Sequence, residues 1–144
     1  MTALLLDTHA WIWLAAGDDR MIAHEKLLNR TAADNELLIA TITLYEAAII
    51  GIETDSGKRR GRQAVRMRPT VHVWIRDALR ATRVVPVALD AEMATDAACF
   101  HAMHGDPFDR MIVAAATHSR ARLATADTKI IEFASRAGVQ VLEL

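Results

Sequence analysis

Four acidic residues stand where a carboxylate is either structural punctuation or chemistry. Asp7 follows the apolar run Leu4-Leu5-Leu6, and Asp127 follows Leu123-Ala124-Thr125. Glu46 comes shortly after Leu37-Leu38-Ile39, and Asp109 opens the helical stretch that precedes the Leu123 run. Glu46 is the most telling, because it is the only charge in the sixteen residues from Leu37 to Ile52. A carboxylate among Leu44, Tyr45, Ala47, Ala48, Ile49 and Ile50 is costly to bury unless a cation pairs with it. A donor set made of carboxylate oxygens, with no thiolate, selects Mg2+ or Mn2+ over zinc. Such ions lower the pKa of bound water and neutralise charge on phosphoryl oxygens during in-line attack. Each acid also has a plainer reading, since Asp7 can simply end a strand and Asp127 can cap a helix. That reading is preferred for Asp106. In Asp106-Pro107-Phe108-Asp109, an Asp cap, a Pro at the first helical position and a first-turn Asp make a complete helix start. Asp109 can serve both purposes.

The elements that must position these acids are legible in outline. Short apolar runs at Leu4–Leu6, Leu37–Ile39, Val84–Val87, Leu123–Thr125 and Val139–Leu142 read as buried strands. Between them lie helical stretches: Thr8 to Ala16 with Gly17 as its stop, Arg20 to Ala33, and one capped by Thr41 or Thr43 that Gly51 ends after Ile50. Further helices are expected over Thr70 to Thr82, Asp90 to His104, Pro107 to Ser119 and Asp127 to Ala137. Strands alternating with helices predict an α/β fold, a central parallel sheet with helices on both faces. In such sheets ligands bind beyond the C-terminal strand ends, where all four acids would gather.

At 144 residues the chain has the length of one domain, here 1–144, and 17 basic against 18 acidic residues leave a net charge of −1. Contact with a polyanion must therefore come from a local basic patch. The single cysteine, Cys99, rules out an intramolecular disulfide, and within Ala97-Ala98-Cys99-Phe100 it reads as a small buried hydrophobe. Neither a signal-like start nor a membrane span is expected, which points to the cytoplasm.

The motifs together resemble a known family. Leu4-Leu5-Leu6-Asp7-Thr8, Thr43-Leu44-Tyr45-Glu46, Asp106-Pro107-Phe108-Asp109-Arg110 with the following Met111 to Ala116, and Leu123-Ala124-Thr125-Ala126-Asp127 are similar to the motifs of PIN-domain ribonucleases. They resemble most the VapC-type toxins of bacterial toxin–antitoxin pairs. One branch of that family also carries a His two residues before the Asp-Pro-Phe-Asp start, here His104. The resemblance implies that Asp7, Glu46, Asp109 and Asp127 form the acidic active site and hold Mg2+ or Mn2+. It implies that Thr8 and Thr125, with the capping Asp106, support them. It further implies RNA hydrolysis leaving a 5′-phosphate and a 3′-hydroxyl, a VapB-like antitoxin partner and a homodimer. His9 and His104 are expected in hydrogen-bonding or structural roles.

One segment departs from the family pattern. Lys58 to Arg68 holds six basic residues and no acid, and reads as a mobile, solvent-facing loop. Lys58, Arg59, Arg60 and Arg62, together with Arg110, are the candidate grips on RNA phosphates, with a solvated surface as the equal alternative. Trp11 and Trp13 sit in an apolar helix and are expected to pack in the core or against a partner, while Trp74 could stack on bases. Two other functions remain open on sequence alone. A receiver-like phosphoacceptor domain also gathers acids at strand ends, but it needs adjacent acids after the first strand and a Lys at a later strand end. Here Asp7 stands alone, and Lys129 lies two residues past Asp127. A non-catalytic RNA- or protein-binding module could keep the same fold.

Overall fold

A computed structural model describes residues 2–101 and 105–144. His104 lies outside the described residues, but the fifth long helix, expected to reach it, already ends at Cys99, where Phe100 turns to extended backbone. The element order is β1 (Leu4–Leu6), α1 (Thr8–Ala16), a 3-10 turn (Asp19–His24), α2 (Glu25–Ala33), β2 (Leu37–Ala40), α3 (Thr41–Asp55) and α4 (Val71–Thr82). Then follow β3 (Val85–Val87), α5 (Ala91–Cys99), α6 (Pro107–His118), β4 (Arg122–Thr125), α7 (Thr128–Arg136) and β5 (Val141–Glu143). The five strands form one parallel sheet in the order β3-β2-β1-β4-β5.

Strand alternation sorts the core into two layers. Leu4, Leu6, Leu37, Ile39 and Ala124 face α1 to α4, where Trp11, Leu28, Ile50 and Met67 pack. Leu5, Leu38, Ala40 and Leu123 face the opposite way, against α5, α6 and α7 with Ile112, Val113, Ile130 and Phe133. Both faces are covered, so the strands carry continuous apolar runs, as parallel sheets require. The chain winds outward from β1 through β2 to β3, then returns to β4 on the other side. The strand order therefore reverses between β1 and β4, and the crevice beyond their C-terminal ends is the topological switch point.

The expected fold class and the strands stand, with shifts of a residue or two at their ends. Several helix limits do not. The stretch from Asp19 to His24 is a 3-10 turn, so the second helix starts only at Glu25. Helix α3 has Ala40 at its cap, without a side-chain bond from Thr41 or Thr43, and it runs straight through Gly51 to Asp55. Gly51 is buried because another segment comes close. A Cβ there would sit 2.6 Å from Met67 Sδ and 3.2 Å from Val71 Cγ2. Gly51→Val should destabilise the protein by about 3 kcal/mol, since Met67 is fully buried and has little room to give. A thermal melt checks this, and an unchanged midpoint would contradict the close contact. Gly17, by contrast, ends α1 as expected, at φ 68° with its N–H on the Leu14 carbonyl. Cys99 is exposed at the end of α5 and is not the buried hydrophobe expected.

The basic segment is not a bare loop. Met67 anchors it in the core, and the Val65 N–H donates to Thr54 Oγ1 at 2.9 Å. Arg59 pairs with Glu53 at 3.0 Å and Arg68 with Asp55 at 2.8 Å, which corrects the expectation of cations without acidic partners. Arg60 donates from Nε to the Gly57 carbonyl. Trp11 is fully buried, its indole N–H on Thr82 Oγ1 at 3.1 Å and its ring edge-on to Trp74. Trp74 is thus a packing residue on the inner side of α4. Trp13 is half-buried and lies under the Arg20 guanidinium, 3.9 Å from its ring centre.

Candidate active site

The switch-point crevice receives a side chain from the end of each adjoining element. Asp7, directly after β1, is buried and caps α1 by accepting from the Ala10 N–H at 2.8 Å. Its second oxygen accepts a short hydrogen bond from the Thr125 hydroxyl at the end of β4. Thr125 in turn accepts from the Asp127 N–H at 3.0 Å, so one buried hydroxyl joins β1, β4 and the start of α7. Asp127 is exposed and caps α7, its carboxylate accepting from the Lys129 and Ile130 N–H groups.

Glu46 comes to the crevice from α3. Thr43 Oγ1 stands 3.2 Å from Thr8 Oγ1, deep in the core, and Thr8 lies near enough to the Glu46 carboxylate to favour its charged form. The sequence offers Thr43 as a possible cap and as the head of the Thr43-Leu44-Tyr45-Glu46 motif, with no place among the supporting hydroxyls. Its signal was its position one turn before Glu46 on the same helix face. At α6, Asp106 caps the helix with bonds from the Phe108 and Asp109 N–H groups, and Pro107 occupies the first turn. This is the helix start the sequence led us to expect, and it places the half-buried Asp109 towards the other acids.

Electrostatics shows that these acids share one environment. Burial raises the Asp109 carboxyl to about 7, reinforced by Asp106, Asp127, Glu46 and Asp7. Asp7 is raised by burial, against the opposing bonds from Thr125 and Ala10 and the pull of His9. Glu46 is raised by burial too, partly offset by Thr8 and His9. His9 is exposed, yet it is near enough to both carboxylates to favour their charged forms. As they stand, no three His, Cys, Asp or Glu side chains among the described residues are placed to hold one ion between them.

Arg110 is held differently from the expected phosphate grip. It is half-buried, and its guanidinium donates to the carbonyls of Ala97 and Phe100, both at 3.0 Å. Those carbonyls end α5, so Arg110 ties that helix to the turn bearing Asp106 and Asp109. Lys58, Arg60 and Arg62 are exposed. Arg62 joins His9, Ile12, Trp13, Arg20 and Val65 along a groove between α1 and the basic segment.

Residues 4–136 match the family model described as PIN domain. The chain belongs to the PIN-domain family. PIN domains are a nuclease family, and this membership decides against the phosphoacceptor alternative. None of the curated proteins compared with this sequence matches it. Among solved structures, this PIN domain is similar to VapBC2 from Rickettsia felis, solved bound to a promoter DNA fragment. The two share 17% identity over 99% of this chain and 98% of that one, with a TM-score of 0.66. It is similar to a toxin–antitoxin complex from Klebsiella pneumoniae, at 21% identity, 99% and 100% coverage and a TM-score of 0.63. It is also similar to FitAcB from Neisseria gonorrhoeae, at 20% identity, 97% and 96% coverage and a TM-score of 0.58. Among the described residues no helix is long and apolar enough to cross a membrane.

Proposed function

We propose that this PIN domain is a metal-dependent endoribonuclease and the toxin of a toxin–antitoxin pair, acting in the cytoplasm. The observation that carries it is the convergence of Asp7, Glu46 and Asp109, all pushed towards neutrality by burial, at the switch point of the sheet. A cluster of partly desolvated carboxylates is stabilised by a divalent cation more than by any other common partner. The donor set is all oxygen, which fits a Mg2+ or Mn2+ ion that keeps several of its waters. Asp7, Glu46 and Asp109 would hold it, with Asp127 reaching it through water. When bound, the ion supplies an activated water and charge neutralisation at the scissile phosphate.

The chain's own groups do the rest. Thr125 fixes the Asp7 carboxylate from one side and the Ala10 N–H from the other, so that Asp7 has one orientation. Thr8, held by Thr43, lies beside Glu46 and favours its charged form. Arg110 ties the end of α5 to the first turn of α6, from which Asp109 projects.

The toxin reading adds partners. The structures this fold resembles include a toxin–antitoxin complex. The groove along Ile12, Trp13 and Val65 is an apolar seat on which a VapB-like antitoxin segment would lie, close to His9 and the acids. A homodimer belongs to the same reading. Induced alone in a bacterial host, the chain should arrest growth, and Asp7→Asn should not. Equal growth of both strains would remove the toxin assignment.

RNA grip falls to the cations that the fold leaves outward. Arg59 is engaged by Glu53 and Arg110 is half-buried, whereas Lys58, Arg60 and Arg62 are exposed and are the first candidates. Each phosphate contact to a single strand contributes about 0.7 to the slope of log affinity against log salt. Replacing all three with Gln should flatten that slope by about two, with the rate at saturating RNA little changed. Filter binding at several salt concentrations, in Ca2+ to suppress cleavage, reads the slope directly. An unaltered slope would return this segment to solvent or to a protein partner.

A further inference from the structure

Two aromatic rings flank the acids. Tyr45 immediately precedes Glu46 on α3, and Phe108 immediately precedes Asp109 on α6. Their ring centroids lie 5.9 Å apart at an interplanar angle of 41°, so the pair bridges the two helices that deliver these carboxylates. Phe108 is half-buried, but Tyr45 is 58% exposed, which leaves most of its ring outside the packing of α3 on α6. A ring serving only to pack the helices would be buried, as Trp11 is. A tyrosine combines an apolar body with a polar tip, a pairing suited to a surface that is covered part of the time and wet otherwise.

Resting on the ribonuclease reading above, we propose that the exposed face of Tyr45, backed by Phe108, is a stacking platform for an unpaired RNA base next to the scissile phosphate. The ring contact spans the same two helices, α3 and α6, that carry Glu46 and Asp109, so a phosphate drawn to those acids brings its own sugar and base to these rings. Every base has a π-face, and stacking on an aromatic ring strengthens binding about 5- to 150-fold per base. A duplex keeps those faces within its own stack, so the platform selects single-stranded segments and loops. It is sequence-tolerant by itself and sets the structural class of the substrate.

The chain has one tyrosine. Incorporation of 3-fluorotyrosine therefore gives a single fluorine NMR resonance that reports on Tyr45 alone. In Ca2+, a short single-stranded oligoribonucleotide should shift that resonance, and the same strand annealed to its complement should leave it nearly in place. Tyr45→Ala should weaken binding of the single strand about tenfold, at the low end of the stacking range, and Tyr45→Phe should restore it. The melting temperature of the Ala variant should stay near that of the wild type, because the side chain is largely outside the core. RNA that binds with an unmoved resonance would overturn the platform and leave the nuclease reading intact. A resonance that moves on dilution of the free protein would place the ring between copies of the chain and would also overturn it. Absence of both RNA binding and cleavage would remove the ribonuclease reading itself, and the platform with it.

Discussion

Asp7→Asn should yield a folded protein that has lost RNA cleavage by at least about a hundredfold, the scale of removing one pre-organised electrostatic group from an active site. The fold should survive because Asn is as good a helix cap as Asp. Its side-chain oxygen can accept from the Ala10 N–H as Asp7 does at 2.8 Å. The Thr125 hydroxyl, which donates to Asp7, can turn to accept from the amide instead. Burying a neutral amide costs less than burying a carboxylate, so the melting temperature should hold or rise. Single-turnover cleavage of a labelled RNA, run beside a thermal melt, checks both halves. A variant that cuts at the wild-type rate would contradict the role given to Asp7. A variant that fails to fold would contradict the account of the cap.

The metal-free protein should lose stability as pH rises. Asp109 titrates near 7 in the folded state, raised from 3.8 chiefly by burial and then by Asp106, Asp127, Glu46 and Asp7. Asp7 and Glu46 shift in the same direction. The folded protein thus binds protons that the unfolded chain has already released, and stability falls with pH wherever that holds. For Asp109 the stabilisation is complete below about 4 and is lost progressively up to about 7. Melting temperatures in EDTA should decline across this window by a few degrees. Mg2+ or Mn2+ added at its alkaline end should restore them by binding only the folded form. The His118 pair with Asp96, 2.7 Å apart, holds that imidazole above its ordinary range and is lost from the top of this window upward, so the decisive quantity is the difference from Asp109→Asn. That variant should show a flatter profile and a smaller response to metal. Parallel profiles for the two proteins would contradict the shared environment of the acids.

What was legible in the sequence, and what was not, follows from how far each feature reaches along the chain. Leu4-Leu5-Leu6 and Leu123-Ala124-Thr125 announce buried strands because both faces of a parallel sheet demand apolar side chains. Asp106-Pro107-Phe108-Asp109 announces a helix start because caps are local. Gly51 misled for the opposite reason. Its lack of a side chain answers to Met67, sixteen residues on, and nothing nearby reveals that contact. One error then produced another. With α3 stopped at Ile50, Glu53 and Asp55 fell outside any helix, and the cations of Lys58–Arg68 had no visible partners. Once α3 runs to Asp55, those acids sit on its last turns beside the returning chain, and Arg59 and Arg68 meet them. The carbonyls at the end of α5 that accept from Arg110 are likewise hidden in the sequence, where charge beside an acidic cluster suggests only phosphate. Among the acids, Asp7 is buried and Glu46 and Asp109 are half-buried beside it, and Asp127 takes a more exposed place as a cap.

The most direct test of the central claim is cleavage of a single-stranded RNA by the purified wild-type chain, followed over time with Mg2+ or Mn2+ and again in excess EDTA. The carboxylate cluster predicts cutting within the strand that requires the ion and stops when it is chelated. Undiminished cutting in EDTA, or intact RNA with either ion at every concentration of a folded protein, would contradict it.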